Sequence, residues 1–279
     1  MTNTSRQFLL DKFPAYKPDQ LISSCNFDDL YRVRDLENDV WLLGRFYVNP
    51  VEAAKLSQVN AEIDRCKNVQ HESLVPIVKS ATSDDQLAIF WEYRDGVNLD
   101  ERLRRELGPR KIANLILSIV DAVMQASRQG VRMEYLSFSD IIVDIDDAPL
   151  LTAGTFSHEL AGKGDSTHAV SNYDQRVINR LGAMLLSICF GRENTELIEA
   201  IKLETDITET MFRFNELLSI DPGLMAITAK SLIHDLSNSY STLDELALDL
   251  QQYLKGRSVD LEGIDFHQLI QSWNLRKSE

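Results

Sequence analysis

Thiols and imidazoles are the side chains that most often ligate metals or attack substrates, and here their spacing argues against both. The cysteines are Cys25, Cys66 and Cys189. Their number is odd and their separations match no zinc pattern. Cys189 lies in an apolar helical run, the setting of a core thiol. His71 and His168 are not spaced as a metal pair or a catalytic set. One stretch stands apart: Gly130-Val131-Arg132-Met133-Glu134-Tyr135-Leu136-Ser137-Phe138-Ser139-Asp140-Ile141-Ile142-Val143. It brings a phenol and two carboxylates into a connection that runs from a helix into a short apolar strand. Pro149-Leu150-Leu151 reads as the next strand, and Thr152-Ala153-Gly154 is a small-residue break after it.

The elements that must hold this stretch can be read from periodicity. Residues 1 to about 16 are polar with a little apolar content, which suggests a loosely docked arm. Short runs rich in β-formers follow: Leu21-Ile22, Leu30 to Val33, Val40 to Leu43 and Phe46 to Val48. Asn38-Asp39 is a turn signal between two of them. From Pro50 to Val69 the apolar spacing becomes helical, through Leu56, Val59, Ile63 and Cys66. Leu74 to Val78 and Leu87 to Trp91 read as two further strands around the turn Ser83-Asp84-Asp85. Beyond Gly96 the chain is mainly helical. Ile112, Leu115, Ile116, Ile119 and Val123 mark one apolar face, closed by Gly130. Val177, Leu181, Met184, Leu185 and Ile188 mark a second, closed by Gly191, and Leu224 to Ile233 a third. The last opens at Thr242-Leu243-Asp244-Glu245, a capping-box pattern, and stops at Gly256. A short helix is expected over Phe266 to Trp273. A β-rich part followed by a helical part is an α+β arrangement.

In this order the elements resemble a protein-kinase domain of the bacterial eukaryotic-type (Hanks-type) Ser/Thr family, over about residues 20 to 258. The central stretch matches the frame of the pattern G-[IV]-x-H-R-D-L-K-P-x-N-I-[LI]-V, followed by D-F-G. Leu21 to Asp35 aligns without a gap with the family's glycine-rich loop, L-I-G-x-G-G-F-G-x-V-Y-R-A-R-D. His71-Glu72-Ser73-Leu74-Val75-Pro76-Ile77 is similar to H-P-N-I-V-x-[IL], and Trp91-Glu92-Tyr93-Arg94-Asp95-Gly96 to the hinge pattern M-E-Y-x-x-G. Asp221 to Arg257 resembles the close of the helical lobe. The resemblance implies a bilobal α+β fold: an arm over 1–16, a small β-rich lobe with one main helix over 17–94, a larger helical lobe over 95–258, and a tail over 259–279.

It also implies where chemistry should be, and there the residues differ. Phosphoryl transfer needs a phosphate cradle, a divalent metal and a base for the attacking hydroxyl. The three cradle glycines correspond to Ser23, Cys25 and Asp28. Each brings a side chain into the space where backbone N–H groups approach phosphate. Asp28 also brings negative charge, repelling phosphate by about 1 to 4 kcal/mol at about 4 Å. Met133-Glu134-Tyr135 stands for H-R-D, placing at the base position a phenol with an ordinary pKa of about 10. Asp140 stands for the metal-binding Asn and Thr152 for the D-F-G aspartate. A lone carboxylate is a weak site for a hard cation.

The nucleotide slot is expected to be filled. Leu43 corresponds to the small alanine over adenine and Trp91 to the gatekeeper, while Leu30 and Ile142 fall at the other apolar positions and Tyr93 lies in the hinge. No A-P-E motif is found near 169–175, and the arginine that would pair with it corresponds to Ser239. Losing both partners avoids a lone buried charge. Val177 replaces the acidic residue that begins the family's central helix, where apolar packing suffices. By position, Arg45 and Glu62 match the family's Lys–Glu pair. They are expected to form a residual ion pair, read as a switch between lobe arrangements or as a structural brace of the helix, with two solvated charges as the remaining reading. Ser166 and Thr167 are candidate phosphosites or simply part of a polar loop.

Composition narrows the partners. The 279 residues, 44% hydrophobic and 26% charged, are those of an ordinary globular protein. A formal net charge of −14 argues against nucleic acid and against docking on an anionic membrane. No signal peptide or membrane span is expected, and the cysteine usage fits a reducing, cytoplasmic setting. The resulting expectation is a pseudokinase: a protein-binding or regulatory scaffold with no cofactor, no metal and weak or absent nucleotide binding. Its working surface would be the outer face of the 50–69 helix, the segment 155–172, or the tail. Two alternatives stand beside it. One is an atypical nucleotide transferase or weak kinase using Asp140 and Arg45 in inverted roles. The other is a metal-independent nucleotide switch in which Arg45 grips phosphate.

Overall fold

The computed structural model describes residues 11–24, 28–105, 107–133, 136–152, 173–190, 221–232 and 239–259. Cys25, Tyr135, the segment 155–172 with Ser166, Thr167 and His168, Gly191 and the tail beyond Val259 lie outside the described residues. The chain divides into two compact units. One holds the described residues of Met1–Leu99 and Ala122–His168, the other those of Asp100–Asp121 and Ala169–Glu279.

The first unit is built on a five-stranded antiparallel sheet in the order β1-β2-β3-β5-β4. The strands are β1 (Tyr16–Ser24), β2 (Asp28–Asp35), β3 (Val40–Tyr47), β4 (Ile77–Ser83) and β5 (Gln86–Glu92). Helix α1 (Ala53–Lys67) crosses between β3 and β4 and packs on β4. Residues directly opposite in an antiparallel pair share a face, and alternate residues change face. The register Leu30↔Arg45 and Leu43↔Trp91 therefore sorts the sheet into two sides. One side is an apolar core of Phe13, Val33, Leu42, Phe46, Ala88 and Phe90. Its rings pack edge to face, Phe13 on Phe46 at 5.4 Å and Phe46 on Phe90 at 5.8 Å. The opposite side carries Ser23, Asp28, Leu30, Leu43, Arg45 and Trp91.

Two turns form where the sequence signals them. Asp39 and Asp84 take positive φ, 56° and 54°, a conformation that aspartate tolerates better than most residues. Two readings differ from the structure. The start of the chain is not a loose arm at its described end, because Phe13 is buried in the core and β1 begins at Tyr16. Leu74 to Val78 is not one strand either. Only Ile77 onward pairs with β5. The Val75 N–H donates to the Leu151 carbonyl at 2.9 Å, and the Leu151 N–H to the Ser73 carbonyl at 2.8 Å. Pro76 has no N–H to continue a ladder, and the chain changes partner there.

The unit also holds a small sheet, β6 (Val97–Asn98), β7 (Ile141–Val143) and β8 (Pro149–Leu151), in the order β6-β7-β8. A 3-10 turn over Phe138–Asp140 leads into β7. It is fed by α3 (Pro109–Arg128), which follows the short α2 (Leu99–Arg102). Gly130, at φ 77°, ends α3 as expected, with the Val131 N–H returning to the Ala126 carbonyl at 3.0 Å. The second unit packs α4 (Tyr173–Phe190), α5 (Pro222–Leu232) and α6 (Leu243–Leu254) on one another. Gly182 lets α4 approach α5, since a Cβ there would lie 2.6 Å from that of Ser231. Val177 is buried in α4. No described helix is long and apolar enough to cross a membrane.

Candidate functional site

The polar side of the five-stranded sheet and the segment 137–152 enclose one charged side chain. Arg45 projects from the middle of β3 and is 1% exposed. Its Nη1 donates to Asp140 Oδ1. Its Nη2 donates to the Ser139 carbonyl at 3.1 Å and to Thr152 Oγ1 at 3.0 Å. Its Nε lies 3.6 Å from Asp28 Oδ1 and makes no hydrogen bond among the described residues. The Trp91 ring sits 5.8 Å from Cζ, within cation–π range. Burial opposes the charge on this guanidinium, but the carboxylates of Asp28 and Asp140, with the Tyr47 phenol, more than reverse that effect. The pKa is raised, and Arg45 stays a cation.

Local structure explains why Asp140 waits for it. Ser137 caps the 3-10 turn, and the Asp140 Oδ2 accepts from the Ser137 N–H at 2.8 Å and its hydroxyl at 2.6 Å. The other carboxylate oxygen is left facing β3. Thr152 is tied to the same residue, with its N–H on the Asp140 carbonyl at 2.9 Å and its hydroxyl at 3.2 Å. On the sheet side, Asp28 opens β2 opposite Tyr47, next to the Leu30↔Arg45 pair on the same face. Ser23 of β1 completes the enclosure, donating to the Ser139 carbonyl at 3.4 Å. Three separate stretches of chain thus converge on a single guanidinium.

Of the expected site residues, Ser23, Asp28, Asp140 and Thr152 come together here, with Arg45 at their centre. Leu30, Leu43, Trp91 and Ile142 are all buried, at 1% exposure or less. Tyr93 is not part of this cluster. Its hydroxyl accepts from Arg32 Nη1 at 3.4 Å and donates to Asp95 at 3.1 Å, at the more open end of the sheet. Cys25 and Tyr135 are outside the described residues.

The expected Arg45–Glu62 pair is not formed. Glu62 pairs with Arg65 one turn along α1 and accepts the Arg132 N–H. Burial pushes its pKa up, against the opposing effect of these partners. The pairing fails for a geometric reason. Arg45 faces the side of the sheet where Asp140 accepts its hydrogen bond and Asp28 lies 3.6 Å from its Nε. Sequence reasoning also missed Ser137 and Ser139. The signal was available, since Ser137-Phe138-Ser139-Asp140 is a capping-box spacing.

Chemically, the arrangement is a neutralising one. Both carboxylates, the threonine hydroxyl and one backbone carbonyl are engaged by the cation. Among the described residues, no group of three or more His, Cys, Asp or Glu is placed to hold a metal ion.

No protein-family model matches the sequence, and no curated protein matches it. Solved structures do. The kinase domain of Mycobacterium tuberculosis PknI is similar at a TM-score of 0.57 and 13% identity, over 86% of this chain and 96% of that one. A cysteine-to-alanine mutant of the same kinase domain gives 0.56 and 13%, over 85% and 95%. At that identity the likeness concerns fold. Together with the sheet order, the position of α1 and the 137–152 segment, it gives this chain the α+β fold of a bacterial Hanks-type Ser/Thr kinase domain.

Proposed function

We propose that this chain is a pseudokinase: a kinase-like protein that does not transfer phosphoryl groups and acts in a reducing, cytoplasmic setting by binding another protein. One observation carries the reading. The guanidinium of Arg45 is buried among Asp28, Asp140 and Thr152. By position those residues correspond to a phosphate-cradle glycine and the two metal ligands of the family. A metal–phosphate unit needs that volume and those oxygens free, and here a side chain takes both. Phosphoryl transfer depends almost wholly on positioning and electrostatic stabilisation by such groups.

The apolar half of the slot supports the same reading. Leu43 and Trp91 face each other across β3 and β5, fully buried where a small residue and an open gatekeeper would admit a base. A nucleotide switch gripped by Arg45 is disfavoured on energetic grounds, because gripping phosphate would take the guanidinium away from the buried Asp140 carboxylate. The charge of −14 leaves protein as the preferred partner class.

The test is thermal unfolding of the purified chain with ATP, with and without magnesium. The expected result is no change in midpoint in either condition. A saturable rise with MgATP overturns the reading, and a rise with ATP alone favours the nucleotide switch.

A further inference from the structure

The chain carries 43 acidic and 29 basic residues, yet one stretch reverses that balance. Between Arg102 and Val120 stand Arg102, Arg104, Arg105, Arg110 and Lys111, against the single acid Glu106. We propose that this stretch, joined by Lys255 and Arg257, is a docking surface for an acidic segment of a partner protein. The inference rests on the protein-binding reading above and gives that partner its chemistry.

The second unit brings the two basic stretches together. Arg110, in the first turn of α3, donates through Nη2 to the Leu254 carbonyl at the end of α6. Lys255 and Arg257 follow directly. Arg104, Arg105, Arg110, Lys255 and Arg257 are all exposed. Among the described residues none of these five forms a salt bridge. Arg34, Arg65 and Arg94 are exposed too, but each holds a carboxylate, of Asp39, Glu62 and Glu92.

The backbone beneath these side chains is fixed. The Arg104 N–H donates to the Glu101 carbonyl at 3.2 Å and the Arg105 N–H to the Arg102 carbonyl at 3.1 Å. The Arg102 side chain returns to the Arg105 carbonyl at 3.3 Å, and buried Leu107 anchors the connection. Beyond α6 the Arg257 N–H reaches back to the Gln252 carbonyl at 3.0 Å, around Gly256 at φ 75°. Charges carried on an ordered backbone lose less freedom when they bind. Helix stability does not account for the bases at α3. A helix N-terminus favours acids and disfavours cations, yet the first turn of α3 has no acid and carries Arg110 and Lys111.

Reach selects the class of partner. At physiological salt, charges are screened beyond about 8 Å. A short acidic segment laid on the patch meets its basic side chains and little else. Duplex DNA or an anionic bilayer extends past the patch and meets the rest of a chain of net charge −14. Arg104, Arg105 and Arg257 also present planar forks, which take a carboxylate through two parallel hydrogen bonds.

The experiment titrates the full chain into a fluorescein-labelled oligoglutamate peptide of about ten residues, at about 0.15 M salt, and reads anisotropy. Saturable binding of one peptide per chain is expected. Arg104→Glu/Arg105→Glu is expected to weaken it about tenfold or more, with the thermal midpoint little changed. Lys17→Glu/Lys67→Glu makes the same change of net charge on the first unit and is expected to bind as the native chain does. If Arg104→Glu/Arg105→Glu does not fold, Arg104→Gln/Arg105→Gln replaces it, with a loss of about threefold expected. No saturable binding by the native chain, or an equal loss in the Lys17/Lys67 variant, overturns the proposal. Tighter binding to a DNA duplex or to phosphatidylglycerol vesicles overturns the assignment to an acidic protein segment. Thermal unfolding with MgATP is read separately. A chain that ignores both MgATP and the peptide loses only this inference, and one that responds to MgATP and binds the peptide loses only the claim of inactivity.

Discussion

Asp35 is the clearest case of a buried carboxylate that this sequence keeps charged. It is 1% exposed at the end of β2. Burial works against its charge, but Lys79 Nζ at 2.6 Å, Asn38 Nδ2 at 2.9 Å and the Glu37 N–H at 3.0 Å all donate to it. Its pKa is lowered from the ordinary 3.8 to about 2. A group whose folded pKa is depressed adds stability above its unfolded pKa and loses it as pH falls through the folded one. Asp35 should therefore contribute about 1–2 kcal/mol at neutral pH that disappears between about pH 4 and pH 2. Asp35→Asn keeps the shape and removes the titration. Urea unfolding at a series of pH values is expected to show the gap between native and variant closing across that window. A gap that stays constant with pH would assign the effect to packing. The same residue scale shows what spacing alone cannot supply. Counting along the chain placed Arg45 and Glu62 at matching family positions. It could not weigh them against Asp28 and Asp140, because the strength of an ion pair depends on which carboxylate a fold holds within reach. The β2–β3 alternation was the usable clue. It puts Asp28, Leu30, Leu43 and Arg45 on one face, with Asp28 in the pair position next to that of Arg45.

Among the elements, those bounded by local chemistry were legible. The opening of α6 was readable as Thr242 to Glu245, and both halves of that capping box form. The Glu245 N–H donates to Thr242 Oγ1 at 3.3 Å, and the Thr242 N–H donates to the Glu245 carboxylate at 3.2 Å. Gly256 ends the helix at φ 75°, as its position predicted. Thr242→Ala removes one acceptor from an otherwise unpaired N–H and is expected to cost about 1 kcal/mol. A chemical-denaturation midpoint that falls without a change in slope checks it, and a variant as stable as the native chain would mean that Glu245 alone closes the end. Elements bounded by tertiary pairing were less legible. The 73–75 stretch has the β-branched and apolar residues of a strand, yet it pairs with β8 and not with β5. Phe13 sits in a polar context and reads as part of an arm, but it finds Phe46 and becomes core. Both depend on partners far away in sequence, which neither propensity nor periodicity reports.

At the scale of the molecule, fold and site draw on different amounts of the sequence. The order of strands, main helix, hinge-like stretch and 3-10 turn is spread over most of the chain. It survives at 13% identity to the PknI kinase domain, because any apolar residue of suitable volume can fill most of those positions. The site depends on a handful of residues, and their joint geometry emerged only with the fold. This separation allows volume and charge to be tested apart. Leu43 is fully buried beside Trp91, and Leu43→Ala would open space on the sheet face while leaving Asp28, Arg45, Asp140 and Thr152 untouched. The variant is expected to lose about 2–5 kcal/mol of stability in urea, the usual cost of a buried leucine truncation. It is also expected to remain indifferent to MgATP in thermal unfolding. If charge replacement at Arg45 is what bars the nucleotide, making room does not admit it. A MgATP-dependent rise in the Leu43→Ala midpoint would instead make packing the barrier and leave the Arg45 cluster a structural brace.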